Sequence, residues 1–442
     1  MMGKKINLTL TGIVIIFLAT GCINIKSPEE LVRMPRSAVE KSEITRVITD
    51  FLDENKTLTL ATNQRAEAVR RVDLDSDGAL ELFVLYKEVD NRHRKSEEYG
   101  MLILKKKKDK WSEINRIEGS RYGFDSIQYD DVTGDNKPEI FVGENTGSEI
   151  EKFLTIYSYH DGYFRNIYYS SYRDFSLGDL DNDGRQEVVL FNKEENSDTG
   201  FVEAFKYIQN ELVTIDRYGF EDKSFYSTMT LGRASDDYMG IFIDHDIGTF
   251  NGYTDLLIMK NDKLNEVLRD TLTGYYQKLK GNITESKDIN DDGIIEFGFI
   301  TDMGLREEYI DYEVPYIKEW YQWSGDKKII FIQREYYNYD NGYKIVIPLE
   351  WNREFVILER RDENEIGFYS SDHTGRPEDE IFSIKSFSSD EWAKEKTVLD
   401  NRFYIVLDEN RERVIVGKIL YKDKKSKYYI VKEKLKEIFV KI

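Results

Sequence analysis

Between residues 57 and 337 the chain is a succession of short apolar runs broken by polar turns, at strand length rather than helix length. Segments such as MLILKKKKDKWSEINRI, FLTIYSYHDGYFRNIYY, VEAFKYIQNELVTIDRY, LLIMKNDKLNEVL and EWYQWSGDKKIIFIQ share one plan: apolar strand, polar turn, second apolar strand. A further apolar run precedes each of them, among them LFVLY, IFVG, VVLF and FGFI, and one more strand is expected before that, giving four strands per unit. Helical spacing appears only near the ends. Val39, Ile44, Val47, Ile48, Phe51 and Leu52 fall on one face and predict a short helix ending near Asn55, a cap over residues 37–56. Val431, Leu435, Ile438 and Phe439 form a second stripe and predict a C-terminal amphipathic helix.

What joins the first two strands of a unit is an acidic phrase: DLDSDGALE from Asp73, DVTGDNKPE from Asp131, DLDNDGRQE from Asp179 and DINDDGIIE from Asp288. Oxygen-bearing side chains fall at positions 1, 3 and 5, and a Glu at position 9. The gap from Asp179 to Asp288 is about twice the other gaps, so a worn copy is expected near residue 232, where GRASDDYMG precedes IFID and only Asp236 of the ligand set survives. Five units of about 55 residues then span 57–337. Four strands repeating at ~40–60 residues predict a mainly β chain with a β-propeller of about five four-stranded blades. After residue 338 the pattern changes to single-copy strands at 343–347, 355–358, 381–387, 403–407 and 414–417, with a short helix around Trp392, so a small α+β domain is expected over 338–442.

The acidic phrases are calcium-like in their chemistry. Calcium is a hard cation that takes oxygens, and a tight loop offering side chains at alternate positions can wrap it while Gly at position 6 allows the sharp turn. The expected ligands are Asp73, Asp75, Asp77 and Glu81 in the first loop, with Gly78 at the turn, and Asp179, Asp181, Asp183 and Glu187 in the third, with Gly184. The fifth unit offers Asp288, Asn290, Asp292 and Glu296 with Gly293. The second offers Asp131, Thr133, Asp135 and Glu139, and Asn136 replaces the Gly, which its tolerance of left-handed backbone allows. It ranks as the weakest of the four. Position 9 and β flanks argue against an EF-hand, and the number of carboxylates favours calcium over magnesium. Affinities of ~10⁻⁴–10⁻³ M, the range of extracellular modules, are expected, with the ions as structural staples.

These units resemble the FG-GAP or VCBS-type repeats of the integrin-alpha β-propeller, in which an aspartate-rich loop joins two strands of each blade. The FG and GAP flanks themselves are mostly missing here. The opening of the last segment, a Gly-Tyr strand running to Pro348 and Trp351, is faintly similar to PsbP-like α/β/α sandwiches.

The N-terminus changes the compartment. Lys4 and Lys5 precede a mostly apolar stretch over 8–18, and Leu18-Ala19-Thr20-Gly21-Cys22 follows, with Cys22 the only cysteine. This resembles a bacterial lipoprotein signal with its lipobox. The resemblance implies a signal peptide over 1–21, lipidation of Cys22, a tether over 22–36 and an extracytoplasmic protein held to the cell membrane by its lipid. A mature chain without a free thiol has no disulfide and no thiolate chemistry. The net charge of −20 makes nucleic acid and anionic headgroups poor partners.

No catalytic motif emerges. The four histidines, His93, His160, His245 and His373, are scattered, with no metal-ligand spacing among them, and no G-x-S-x-G elbow or phosphate loop occurs. The chain is therefore expected to be a non-catalytic binding module for an envelope protein or glycan. Alternatives are a structural or accessory lipoprotein whose C-terminal domain does the recognising, and a carboxylate-based carbohydrate hydrolase. Candidate contact aromatics are Tyr163, Tyr168, Tyr169, Trp320, Tyr321 and Trp323, most of them placed in the blade core. Short basic patches at 105–108 and 422–427 are expected on solvated strand edges or turns.

Overall fold

A computed structural model of the chain describes residues 36–62, 68–89, 97–148, 151–160, 162–194, 199–223, 226–246, 248, 252–268, 282–301, 317–326, 328–397 and 403–442. The expected signal segment, Cys22 and nearly all of the tether lie outside these residues, as does His93. The described chain is mainly β, with six antiparallel sheets. None of its helices is long and apolar enough to cross a membrane.

Contacts divide the chain into two compact units. The first draws on the described residues of 1–60, 67–71 and 81–119, and the second on those of 61–66, 72–80 and 120–442. In the first unit, helix α1 (Arg36–Phe51) lies on the strands Glu81–Val89 and Glu97–Lys107. Val47 of its predicted stripe is buried among Leu82, Val84, Tyr86, Leu102 and Leu104, and Ile44, Ile48 and Phe51 pack around it. A short strand, Lys56–Leu58, also pairs with Glu81–Val89, so the first sheet has five strands rather than the expected four.

The second unit repeats one plan. Three four-stranded sheets follow in sequence, with outermost strands Phe124–Asp130 and Tyr163–Tyr172, then Asp174–Gly178 and Glu211–Lys223, then Tyr226–Arg233 and Lys263–Glu266. The last of these is the unit with the worn loop, and its strands stand where the repeat length places them. The inner strands read as continuous apolar runs because both faces are covered. In Glu187–Lys193, Val188 and Leu190 face Phe141 and Ile156 of the preceding sheet, whereas Val189 and Phe191 face Ile241 and Leu257 of the next. In the next sheet, Ile241 and Ile243 point back while Phe242 points forward to Phe297 and Tyr321. A two-residue period thus welds the third and fourth sheets each to the sheet before and the sheet after.

The fifth sheet departs from the plan. It has six strands and crosses the boundary expected at 337/338: Ile329–Asn338 pairs with Tyr343–Ile347, which in turn pairs with Phe439–Lys441. Helix α3 (Lys432–Ile438) is shorter than its stripe suggests, because Phe439 already belongs to that strand. A sixth, five-stranded sheet covers Phe355–Ile419, with helix α2 (Ser389–Glu395) started by a capping box between Ser388 and Glu391. Trp351, 1% exposed, anchors the core between the fifth and sixth sheets.

Candidate metal centre

The four acidic phrases fold into one loop. The carboxylate at position 1 turns inward and accepts backbone N–H groups from positions 5 and 6. Asp179 accepts from Asp183 N at 3.0 Å and Gly184 N at 2.9 Å, and Asp73 from Asp77 N at 3.1 Å and Gly78 N at 2.9 Å. Asp131 does the same with Asp135 N at 3.2 Å and Asn136 N at 2.7 Å. Asp288 accepts from Gly293 N at 2.8 Å. The position-5 carboxylate accepts from position 7 each time, at 2.8 Å for Asp77, 2.9 Å for Asp135, 2.9 Å for Asp183 and 2.8 Å for Asp292. Position 6 is left-handed in all four, with φ of 83° at Gly78, 86° at Gly184, 83° at Gly293 and 64° at Asn136. That conformation is why Gly or Asn stands there.

Position 9 opens the following strand and is buried: Glu81, Glu187 and Glu296 are 0% exposed and Glu139 is 1% exposed. One carboxylate oxygen is tied back to the loop backbone, by Leu180 N at 2.7 Å for Glu187, by Ile289 N at 2.9 Å for Glu296, and by Val132 N and Thr133 N at 3.2 Å each for Glu139. Burial pushes the carboxyls of Glu139, Glu187 and Glu296 up to about 7. A buried carboxylate facing other carboxylates calls for a cation or a hydrogen-bond donor.

The third loop gathers its acids as such a role requires. Carboxylate oxygens of Asp179, Asp181 and Glu187 lie within 4.8 Å of one another, a group able to hold a metal ion. Asp73, Asp75 and Asp77 of the first loop belong to one compact unit and Glu81 to the other. In the second loop, Thr133 Oγ1 stands 3.4 Å from both Asp131 and Glu139. In the fifth unit, Asn290 Nδ2 donates to Asp292 at 3.0 Å. The worn loop still turns, with Asp236 alone of the ligand acids: Ala234 N donates to Tyr238 O at 2.8 Å, and Asp236 meets Arg233 at 3.3 Å.

Sequence reasoning missed the residue facing position 9 from the next strand. Val188 pairs with Phe205, which sets Glu187 opposite Lys206. By the same register Glu81 faces Lys105, Glu139 faces Ser158 and Glu296 faces Gln322. Lys206 Nζ contacts Asp181, Asp183 at 3.1 Å, Glu187 at 3.7 Å and Asp262 at 3.8 Å. Burial works against its charge, but Asp181 and Asp183 raise its pKa above the ordinary lysine value. Lys105 Nζ sits 2.9 Å from Glu81. Ser158 hydrogen-bonds Glu139. Gln322 Nε2 donates to Asp292 at 2.9 Å and Glu296 at 2.6 Å. Lys105 was expected on a solvated edge and is instead 4% exposed.

The remaining candidates sort by burial. Trp320, Tyr321 and Trp323 are core residues, 0%, 5% and 3% exposed, whereas Tyr163 and Tyr169 are open to solvent. His245 accepts or donates through Nδ1 to Ser227 Oγ at 3.1 Å, and its Nε2 lies 3.2 Å from Asp255. Both His245 and Asp255 are fully buried, and the imidazole is flanked by the rings of Phe220 and Tyr253, so this serine–histidine–aspartate chain is part of the sheet interior.

No family model matches the chain, and no curated protein matches it. Solved structures similar to it include the exotype rhamnogalacturonan lyase YesX, at 11% identity over 61% of this chain and 64% of that one, with a TM-score of 0.31. Rhamnogalacturonan lyase YesW matches at 12% identity, 70% and 81% coverage and a TM-score of 0.32. A protein from Lactobacillus plantarum matches at 12% identity, 66% and 80% coverage and a TM-score of 0.30. The chain thus spans less than two thirds of the first of these. Likenesses this distant carry nothing about chemistry.

Proposed function

We propose that this chain is a non-catalytic binding module of the cell envelope, lipid-anchored through Cys22 outside the cytoplasm. Its repeated sheets are FG-GAP-type propeller blades, about five in number, that present loops to a protein or glycan partner. The repetition of one loop geometry in register on separate sheets supports this reading most: it is a construction device used several times over, not a unique constellation of reacting groups. A rigid frame with exposed loops suits recognition. Tyr163 and Tyr169, 78% and 58% exposed on the strand Tyr163–Tyr172, add ring faces, with Tyr169 stacked on Phe153 at 5.2 Å. The cation that the acidic loops call for is calcium, held structurally, so stability follows the external calcium supply.

The test is retention of the full chain on an array of purified envelope glycans and surface proteins, in calcium and in EDTA, with bound sugars checked for cleavage. Lower retention by the Tyr163→Ala/Tyr169→Ala pair, at unchanged melting temperature, supports the reading. Retention of no probe, or shortening of the bound sugars, overturns it. Incorporation of labelled palmitate that is lost in Cys22→Ala tests the anchor.

A further inference from the structure

The loops are alike, yet the residue each one faces is not. Across five sheets the position-9 residue is matched by its neighbour on the next strand: Glu81 with Lys105, Glu139 with Ser158, Glu187 with Lys206 and Glu296 with Gln322. In the worn unit position 9 is Gly240, which pairs with Ile258, so carboxylate and polar partner are both gone. An acid is therefore never left facing an apolar residue, and an apolar residue never faces an acid.

In the third loop the partner is a full positive charge at the focus of the acids. Lys206 Nζ touches two loop carboxylates, Asp181 and Asp183, and lies 3.7 Å from Glu187 Oε1, a buried oxygen that accepts no hydrogen bond. Asp262, from the turn of the next sheet, adds a fourth carboxylate at 3.8 Å. A calcium ion bound at ~2.3–2.6 Å to Asp181, Asp183 and Glu187 would need the place this ammonium takes, and two cations do not share one donor set.

We infer that Lys206 is a built-in counter-ion that replaces the divalent cation in the third loop, so that this loop keeps its shape without metal. Lys105, 2.9 Å from Glu81, meets that buried glutamate with the same charge. The second and fifth loops differ, because Ser158 and Gln322 are uncharged. Gln322 now donates to Asp292 and Glu296, and turning its amide over would offer an oxygen instead. This inference rests on the reading of the loops as structural cation sites and says which of them make their own cation.

The experiment is a calcium titration by calorimetry on the full chain, paired with melting in calcium and in EDTA, for wild type, Glu187→Gln and Lys206→Ser, the last copying the second unit. Glu187→Gln should leave the number of bound calcium ions unchanged. Lys206→Ser should bind one more ion than wild type, melt lower in EDTA and recover in calcium. Loss of one bound ion in Glu187→Gln, or an unchanged ion count in Lys206→Ser, overturns the inference. If Lys206→Ser does not fold, Lys206→Gln, which copies the fifth unit, is read by the same criteria. A wild type that binds no calcium at all would sink the calcium reading of the second and fifth loops, while the Lys206 variants would still decide the third.

Discussion

Replacing Gly143 by alanine should weaken the second sheet more than any surface change could. Gly143 lies in the strand Glu139–Asn145, directly after the second acidic loop. A Cβ there would stand 2.1 Å from Tyr172 Oη, 2.9 Å from Ser126 Oγ and 3.2 Å from Tyr172 Cζ. Tyr172 has no room to retreat: it is 1% exposed and packs edge-on against Phe175 at 5.2 Å. Its hydroxyl donates to Asp125 at 2.7 Å, and Lys152 completes the group 2.9 Å from Asp125. Overpacking of this kind costs ~1–3 kcal/mol, and displacing a hydrogen bond to a charged group costs ~1.5–3 kcal/mol. Gly143→Ala should therefore lose about 2.5–6 kcal/mol, a large share of the ~5–15 kcal/mol that holds a typical domain. Tyr172→Phe removes the atom that collides first, at the cost of the hydrogen bond alone. The double variant should consequently be more stable than the sum of the two single losses predicts, by ~1 kcal/mol or more. Urea unfolding of the four proteins measures the cycle. A single variant within ~0.5 kcal/mol of wild type, or strict additivity, would refute the reasoning.

Two buried acids should respond to pH with opposite signs. Burial pushes Asp244 up to about 6 from 3.8, although Thr254 and Ser286 donate to it at 2.5–2.8 Å. Its contribution is thus fully present below pH ~4 and lost as pH rises to about 6, an amount on the order of 3 kcal/mol. Asp244→Asn should remove that slope from urea midpoints taken between pH 4 and 7, and a parallel pair of curves would contradict it. At Glu319 burial also pushes upward, but Tyr321 and Arg334 hold the carboxyl below the usual range. Its stabilisation is present near neutrality and fades as pH falls through that lowered pKa. Glu319→Ala leaves Arg334, whose side chain is 11% exposed, without its carboxylate at 2.6 Å, and should cost about 3–5 kcal/mol by thermal or urea unfolding.

Much of the architecture was legible because it repeats. The apolar runs located the sheets, the worn copy near residue 232 included, since strands buried on both faces advertise themselves through continuous Val, Ile, Leu and Phe. The loop turns were legible too: position 6 must be left-handed, and Asn136 at φ 64° meets the same demand as the glycines. Lys206 and Gln322 were not legible as partners of the loops. Their roles depend on strand pairing, which no local spacing encodes, and a lysine inside an apolar run reads as a solvated edge until register puts it opposite a buried glutamate. Phe439 was misplaced for a related reason. It continues a helical stripe, but pairing with Ile345 captures its backbone for the fifth sheet.

That capture bears on how the protein is made. The strand Tyr343–Ile347 leaves the ribosome long before Phe439–Lys441, its second neighbour in the sheet. Until Phe439–Lys441 emerges, one side of the strand presents unmet N–H and C=O groups, the kind of template on which nascent chains associate wrongly. Slower synthesis of the residues between the two strands would prolong that vulnerable interval. Yield and aggregation during synthesis, rather than the finished fold, are where such a change would first be felt.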